Sequence, residues 1–252
     1  MVTDWLAEAV RQQLRLGRLL PLGGAADGSW LTELAADTVL EGAADKVPGV
    51  RLGTLRIGLA DPDTAGTPAV PPPPSALPPG PLRIEAECAA TVDQPLPVAA
   101  DRLRDALFQA AVDRLGLEVE AVDLRVTEVL EAPETRAAPT PPRRRPPRQK
   151  AQHPPATDDS DPALTAAATA AVSVPGVTRL APVLGSSRAV HIEDAHIRIE
   201  LAVAADHRAL DVARAVRTAV AAAAPEPVTV AVLVTAVEPA EEPAVEPAEE
   251  PP

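Results

Sequence analysis

The chain has 252 residues, with 36 acidic against 23 basic side chains and a formal charge of −13. That balance disfavours non-specific binding of the whole molecule to nucleic acid or anionic lipid, since either needs a positive field. The single cysteine, Cys88, rules out an intramolecular disulfide and a cysteine zinc cage. No run of ~20 apolar residues escapes a charge or a proline, so no transmembrane helix is expected.

The opening Met1-Val2-Thr3-Asp4 lacks a basic region followed by an apolar stretch, so no secretory signal is expected and the cytoplasm is the expected compartment. Thr3 to Leu20 reads as an amphipathic helix. Trp5, Leu6, Ala9, Val10, Leu14 and Leu16 share one half of the wheel, with Arg11, Arg15 and Arg18 on the other. Pro21 and Gly23-Gly24 would end it. Trp5, Leu6, Val10 and Leu14 form the candidate face for a partner or a membrane surface, against docking on the chain's own module. Residues 1–28 are this helix and its loop.

A first module is expected over residues 29–131. Trp30, Leu31, Leu34, Ala35, Val39 and Ala43 recur at helical spacing, and Pro48 and Gly49 stop the helix and turn the chain. Val50 to Leu59 reads as a strand. Residues 61–81 form a proline-rich loop, read as extended and uncovered. Leu82 to Ala90 alternates, placing Leu82, Ile84, Ala86, Cys88 and Ala90 inward and Arg83, Glu85 and Glu87 outward. Val98 to Leu115 has helical periodicity and Gly116 closes it. Val119 to Val129 alternates again.

Residues 132–162 are a Pro/Arg-rich linker carrying Arg143, Arg144, Arg145, Arg148 and Lys150, a composition that buries too little apolar surface to fold. Residues 163–238 are then a second, divergent module. Pro175 and Gly176 match Pro48 and Gly49, followed by His196 to Val203, Val212 to Ala224 and Val228 to Val237. Identities recur as well: Arg83-Ile84-Glu85 with Arg198-Ile199-Glu200, Val98-Ala99 with Val212-Ala213, and Val126-Thr127 with Val234-Thr235. A unit this long is a small duplicated domain, not a solenoid repeat. Residues 239–252 are an acidic, proline-rich tail read as disordered.

The expected fold is therefore α+β: two related modules, each a three-stranded sheet with two helices on one face in the order helix-strand-strand-helix-strand, plus disordered linkers and tail. No residue pattern points to catalysis, a cofactor or a metal. The four histidines are His153, His191, His196 and His207; His191 and His196 are placed on opposite strand faces with no cysteine beside them. Cys88 reads as a buried, inert thiol. Asp101, Asp105 and Asp113 share a helix with arginines, as a solvated face does. Gly23, Gly24 and Gly28 lack the context of a phosphate loop. The basic linker is the one positive patch, and its Arg143–Lys150 cluster gives the alternative reading, a nucleic-acid-associated regulator; it has no aromatic residues for base stacking.

The turn Val47-Pro48-Gly49-Val50, the strand Leu82 to Ala90, the helix with Val98-Ala99 and Leu103-Arg104, Gly116, and the run Val119, Val122, Leu124, Val126 together resemble the alkaline shock protein family of bacterial envelope stress response proteins. The resemblance covers about Ser29 to Glu131. The chain departs from the family pattern at Asp93-Gln94-Pro95, at Leu115-Gly116 and in its long proline loop. Arginine in place of lysine and the Ala/Pro/Val bias resemble a high-GC actinobacterial composition. The resemblance implies a non-enzymatic scaffold or adaptor in envelope homeostasis. It would act through protein–protein interaction and self-association, near the membrane by way of a membrane-anchored partner.

Overall fold

The computed structural model describes residues 16–130, 161–184, 188–226 and 228–239. Its elements in chain order begin with β1 (Leu19–Pro21), β2 (Ser29–Thr32), α1 (Glu33–Ala44), β3 (Val50–Leu59), β4 (Leu82–Thr91), α2 (Leu96–Gln109) and β5 (Val119–Leu130). They continue with α3 (Pro162–Val172), β6 (Val177–Leu180), β7 (Val190–Glu193), β8 (His196–Ala204), α4 (Ala209–Ala223) and β9 (Thr229–Glu238). α2 runs on into a π-helical turn over Ala110–Leu115, where the Gly116 N–H bonds back to the Ala111 carbonyl. The α+β class expected from the sequence is the class observed.

The duplication is visible in three dimensions. β3 pairs antiparallel with β4, and α2 then crosses over to β5, which lies parallel to β4. In the second half, β6 and β7 pair antiparallel with β8, and α4 crosses over to a parallel β9. Both parallel pairs carry the same bulge. The register skips Thr127 after Cys88↔Val126, and it skips Thr235 after Leu201↔Val234. In each case the skipped threonine hydroxyl donates across the ladder, Thr127 to the Cys88 carbonyl (3.5 Å) and Thr235 to the Leu201 carbonyl (3.1 Å). Ile199 thus takes the place of Ala86. The identities Arg83-Ile84-Glu85 and Arg198-Ile199-Glu200 sit one pleat out of structural register, a shift that leaves both faces of the strand unchanged.

The second sheet is larger than three strands, in the order β1-β2-β9-β8-β6 with β7 also on β8. Two causes enlarge it. The strand equivalent to β3 is split into β6 and β7. The segment before α1 also crosses to the other module, where β2 pairs parallel with β9 and β1 pairs antiparallel with β2. Ser29 to Thr32 is therefore a strand, not the first turn of the helix. The helix starts at Glu33, because the Thr32 hydroxyl caps the Ala35 N–H while donating to the Thr235 carbonyl at 3.1 Å. The helix expected to run to Leu20 likewise stops earlier. Leu16 is helical, and the next residues leave for β1 through hydrogen bonds between Arg18 and Glu33.

One core spans both halves. Ile84, Leu103, Leu107 and Leu115 of the first join Leu201, Val216, Val232 and Val234 of the second, with Ala36 and Leu40 of α1 and Leu31 of β2 among them. The strand faces follow the alternation: Leu82, Ile84, Ala86, Cys88 and Ala90 are all buried. Burial pushes the Cys88 thiol pKa up, which keeps it protonated and unreactive.

The opposite face of the second sheet is covered as well, and the proline-rich loop does part of it. Leu19, Trp30, Val70, Ala231 and Leu233 form a second buried cluster, with Ala76, Val183 and Leu184 against it. The loop is tied down by hydrogen bonds from the Ala69 N–H to the Ala25 carbonyl and from the Leu77 N–H to the Leu19 carbonyl. The Trp30 indole N–H donates to the Leu77 carbonyl at 3.3 Å. The expectation of an uncovered loop is corrected on this point. Proline stiffness lowers the entropy cost of fixing the loop, and the apolar face formed by β2 and β9 gives it something to cover.

Candidate interaction surface

The predicted turn residues fall where the sequence placed them. Pro48 and Gly49 join α1 to β3, and Pro175 and Gly176 join α3 to β6. Gly49 and Gly176 have φ of +74° and +89°. A side chain at Gly176 would stand 2.8 Å from the His207 ring, and one at Gly49 would strike Thr91 and Gln94. The Gly49 carbonyl accepts from the Thr91 N–H and the Gly176 carbonyl from the Ala204 N–H, so the turns are structural in both copies. Trp5, Leu6, Val10 and Leu14, and the linker residues Arg143, Arg144, Arg145, Arg148 and Lys150, lie outside the described residues.

His191 and His196 are on one face, not two. The β7–β8 hairpin sets His191 opposite Arg198, two residues along from His196. The turn between them resets the alternation that a continuous strand would have imposed. Among the described residues no group of three or more His, Cys, Asp or Glu side chains is arranged to hold a metal. No described helix is long and apolar enough to cross a membrane.

Where the modules meet there is an open cleft of about 560 Å³, lined in part by Phe108, Val112, Glu118, Arg208, Leu210 and Arg214. Leu210 of α4 closes its floor, reaching so near Gly116 that any side chain there would overlap it. Arg208 donates to the Val112 carbonyl at 3.1 Å, locking α4 to the π-helical turn. Arg214 holds Asp27 through two bonds of 2.7 and 3.0 Å. That guanidinium, with the Gly24 N–H, keeps the Asp27 carboxyl below its usual range. The arginines are thus committed to the joint, and Phe108 is left 41% exposed at its mouth.

A second polar group lies on the covered face of the larger sheet. Glu200 is fully buried, and one carboxylate oxygen accepts from the Val183 and Leu184 N–H groups at 2.6 and 3.2 Å. Its other oxygen faces Arg198 at 3.6 Å and His191 at 3.8 Å. The carboxylate closes the chain after β6 over the sheet, a structural duty.

Among the described residues, the first module's sheet is open on its outer face and along one edge. Arg51 with Glu128 and Arg83 with Asp123 form exposed ion pairs on the outer face of its sheet. Among the described residues β5 is an edge strand, with Arg125, Val126, Thr127, Glu128 and Val129 exposed; Val126 is 38% and Val129 53% accessible. β9, its counterpart, is flanked on both sides, and Val232, Leu233 and Val234 are wholly buried. Sequence alternation alone could not separate the two, because both runs read as half-buried strands.

No protein-family model and no curated protein matches the chain. Among solved structures, the zinc form of a MamM CTD variant is 17% identical over 40% of this chain and 89% of that one, with a TM-score of 0.26. The nickel form of another MamM CTD variant is 14% identical over 39% of this chain and 96% of that one, at a TM-score of 0.24. Likenesses of this size carry no functional weight.

Proposed function

We propose that this protein is a non-enzymatic scaffold or adaptor of bacterial envelope homeostasis, working through protein–protein contacts near the membrane. The observation that carries the binding part is the contrast between duplicated modules. The β9 edge of one is built over by another segment of the chain, while the equivalent β5 edge of the other stands exposed with Val126 and Val129. Exposed edges are ordinarily blunted or paired, so one left open in a chain that already shows how to close it is suited to a partner. The buried, protonated Cys88 and arginines spent on structural bonds leave little in the described residues suited to acid–base or nucleophilic work. The envelope part rests on the likeness of the first module's turn, helix and strand motifs to the alkaline shock proteins.

The test is deletion of the gene in its host, with survival measured under alkaline and cell-wall-antibiotic challenge and light scattering run on the purified full chain. The expected results are a survival defect rescued by the wild-type gene, and association of the chain with itself or with a membrane-anchored partner. Unchanged survival would overturn the envelope assignment.

A further inference from the structure

The duplication shows what the free edge of β5 takes. In the second module, β2 lies parallel to β9 with Ser29, Trp30 and Leu31 opposite Val232, Leu233 and Val234. Three contacts seat it. The Val232 N–H donates to the Gly28 carbonyl at 3.1 Å. Arg217 of α4 donates to the Val230 carbonyl at 2.9 Å and, from the same guanidinium, to the Ala26 carbonyl at 2.9 Å on the incoming segment. Arg214 grips Asp27, two residues ahead of the strand.

Two of these fixtures, the strand edge and the arginine clamp, have counterparts on the first module. By the shared bulge, Leu124, Arg125 and Val126 stand where Val232, Leu233 and Val234 stand. Arg104 of α2 donates to the Val122 carbonyl at 3.2 Å, as Arg217 does to Val230. In a parallel ladder a residue's N–H and C=O point to the same neighbour, and this alternates along the strand. Val122, Leu124 and Val126 therefore present their backbone groups to the free edge, as Val230, Val232 and Val234 present theirs to β2. The second arm of Arg104, with no incoming carbonyl to hold, turns to Asp101.

Two side-chain differences set the chemistry of the occupant. Asp101 occupies the position of Arg214, so the charge that meets the leader of the incoming strand is reversed. Arg125 replaces Leu233 on the outer face, where Trp30 would otherwise pack. Val126 keeps an apolar contact on the helix side.

We propose that the β5 edge at Leu124–Val126 binds an extended segment of a partner protein as a parallel strand. The segment carries a lysine or arginine against Asp101, an acidic residue opposite Arg125, and an apolar residue opposite Val126, with Arg104 clamping a backbone carbonyl ahead of it. Main-chain pairing supplies the affinity and the reversed charges supply the choice of partner. This rests on the binding reading above and names its surface.

The probes are two peptides based on residues 26–33 of this chain. One has the native sequence; the other has lysine in place of Asp27 and glutamate in place of Trp30. Binding to the full chain is read by fluorescence anisotropy, and amide exchange by mass spectrometry. The charge-reversed peptide is expected to bind at least about 10-fold tighter than the native one, a difference worth about 1.4 kcal/mol. It should slow exchange at Leu124 and Val126, and the preference should invert in Asp101→Arg. Slow exchange at Leu124 in the free chain, matching Val232, would overturn the proposal, because the edge would already be covered. So would equal binding of both peptides, a preference unmoved by Asp101→Arg, or no binding at millimolar peptide. If the peptides fail while envelope survival still depends on the gene, only the edge assignment falls.

Discussion

Trp30 tests the way the two halves are joined. It is 1% exposed, packs with Leu19, Val70, Ala231 and Leu233, and bonds to the Leu77 carbonyl. Trp30→Ala removes that apolar area and leaves a cavity bounded by a loop that can only partly collapse, a change that costs about 3–5 kcal/mol. The loss is a large share of the 5–15 kcal/mol typical of a folded domain. With a urea slope of ~2–3 kcal/mol per M, the midpoint should fall by about 1–2 M. Trp30→Phe keeps most of the packing and loses the indole bond, a cost of roughly 1 kcal/mol. The assay is urea unfolding followed by far-ultraviolet circular dichroism, with amide exchange at Ala69 and Leu77. Those amides should lose protection in Trp30→Ala earlier than core amides such as Val232. A loss below about 1 kcal/mol with the loop amides unchanged would refute the docked loop, since the largest side chain of its cluster would then be contributing nothing.

Three further outcomes are expected. Burial, with Glu33 and Glu41 one turn to either side, raises the Asp37 carboxyl to about 7, above its unfolded value. The folded state then holds the proton more tightly, so stability falls as pH rises from about 4 to 7 and is level beyond; Asp37→Asn should raise the Tm at pH 8 and leave it unchanged at pH 4, by thermal melts at both. Glu200→Ala strands the Val183 and Leu184 N–H groups and should cost about 1–3 kcal/mol, whereas Glu200→Gln keeps an acceptor and should cost less; equal losses in urea titrations would contradict the latch. Gly49→Ala and Gly176→Ala force an L side chain into a left-handed turn, and each should lose at least ~1–2 kcal/mol; tolerance at either, by the same titration, would deny that the turn needs glycine.

The sequence by itself determined the local and periodic features. Alternation from Leu82 to Ala90 fixed which face of β4 is buried, since successive side chains on a strand point oppositely whatever surrounds it. Val-Pro-Gly-Val fixed both helix-to-strand turns, because proline cannot continue a helix and glycine alone accepts the turn without strain. The recurrence of these elements disclosed the duplication and the α+β class. Sequence identity set Val126-Thr127 correctly against Val234-Thr235 but left Arg83-Ile84-Glu85 out of step with Arg198-Ile199-Glu200, and Arg104 is recognisable as the equivalent of Arg217 only through the contact each makes.

Only the tertiary structure decided which segments belong together. Ser29 to Thr32 has helical spacing and strand-compatible residues alike, and pairing with β9 settled it as a strand. The proline loop packs on Leu19 and Trp30 together with Ala231 and Leu233, so its burial depended in part on an apolar face contributed from the far end of the chain. Glu200 shares its strand face with His196 and Arg198, and it is fully buried because a loop closes over it. The same cause left β9 covered and β5 open, although the two strands read alike. Long-range pairing is set by the free energy of burying one surface against another, and a single strand's pattern records its faces but not its neighbours.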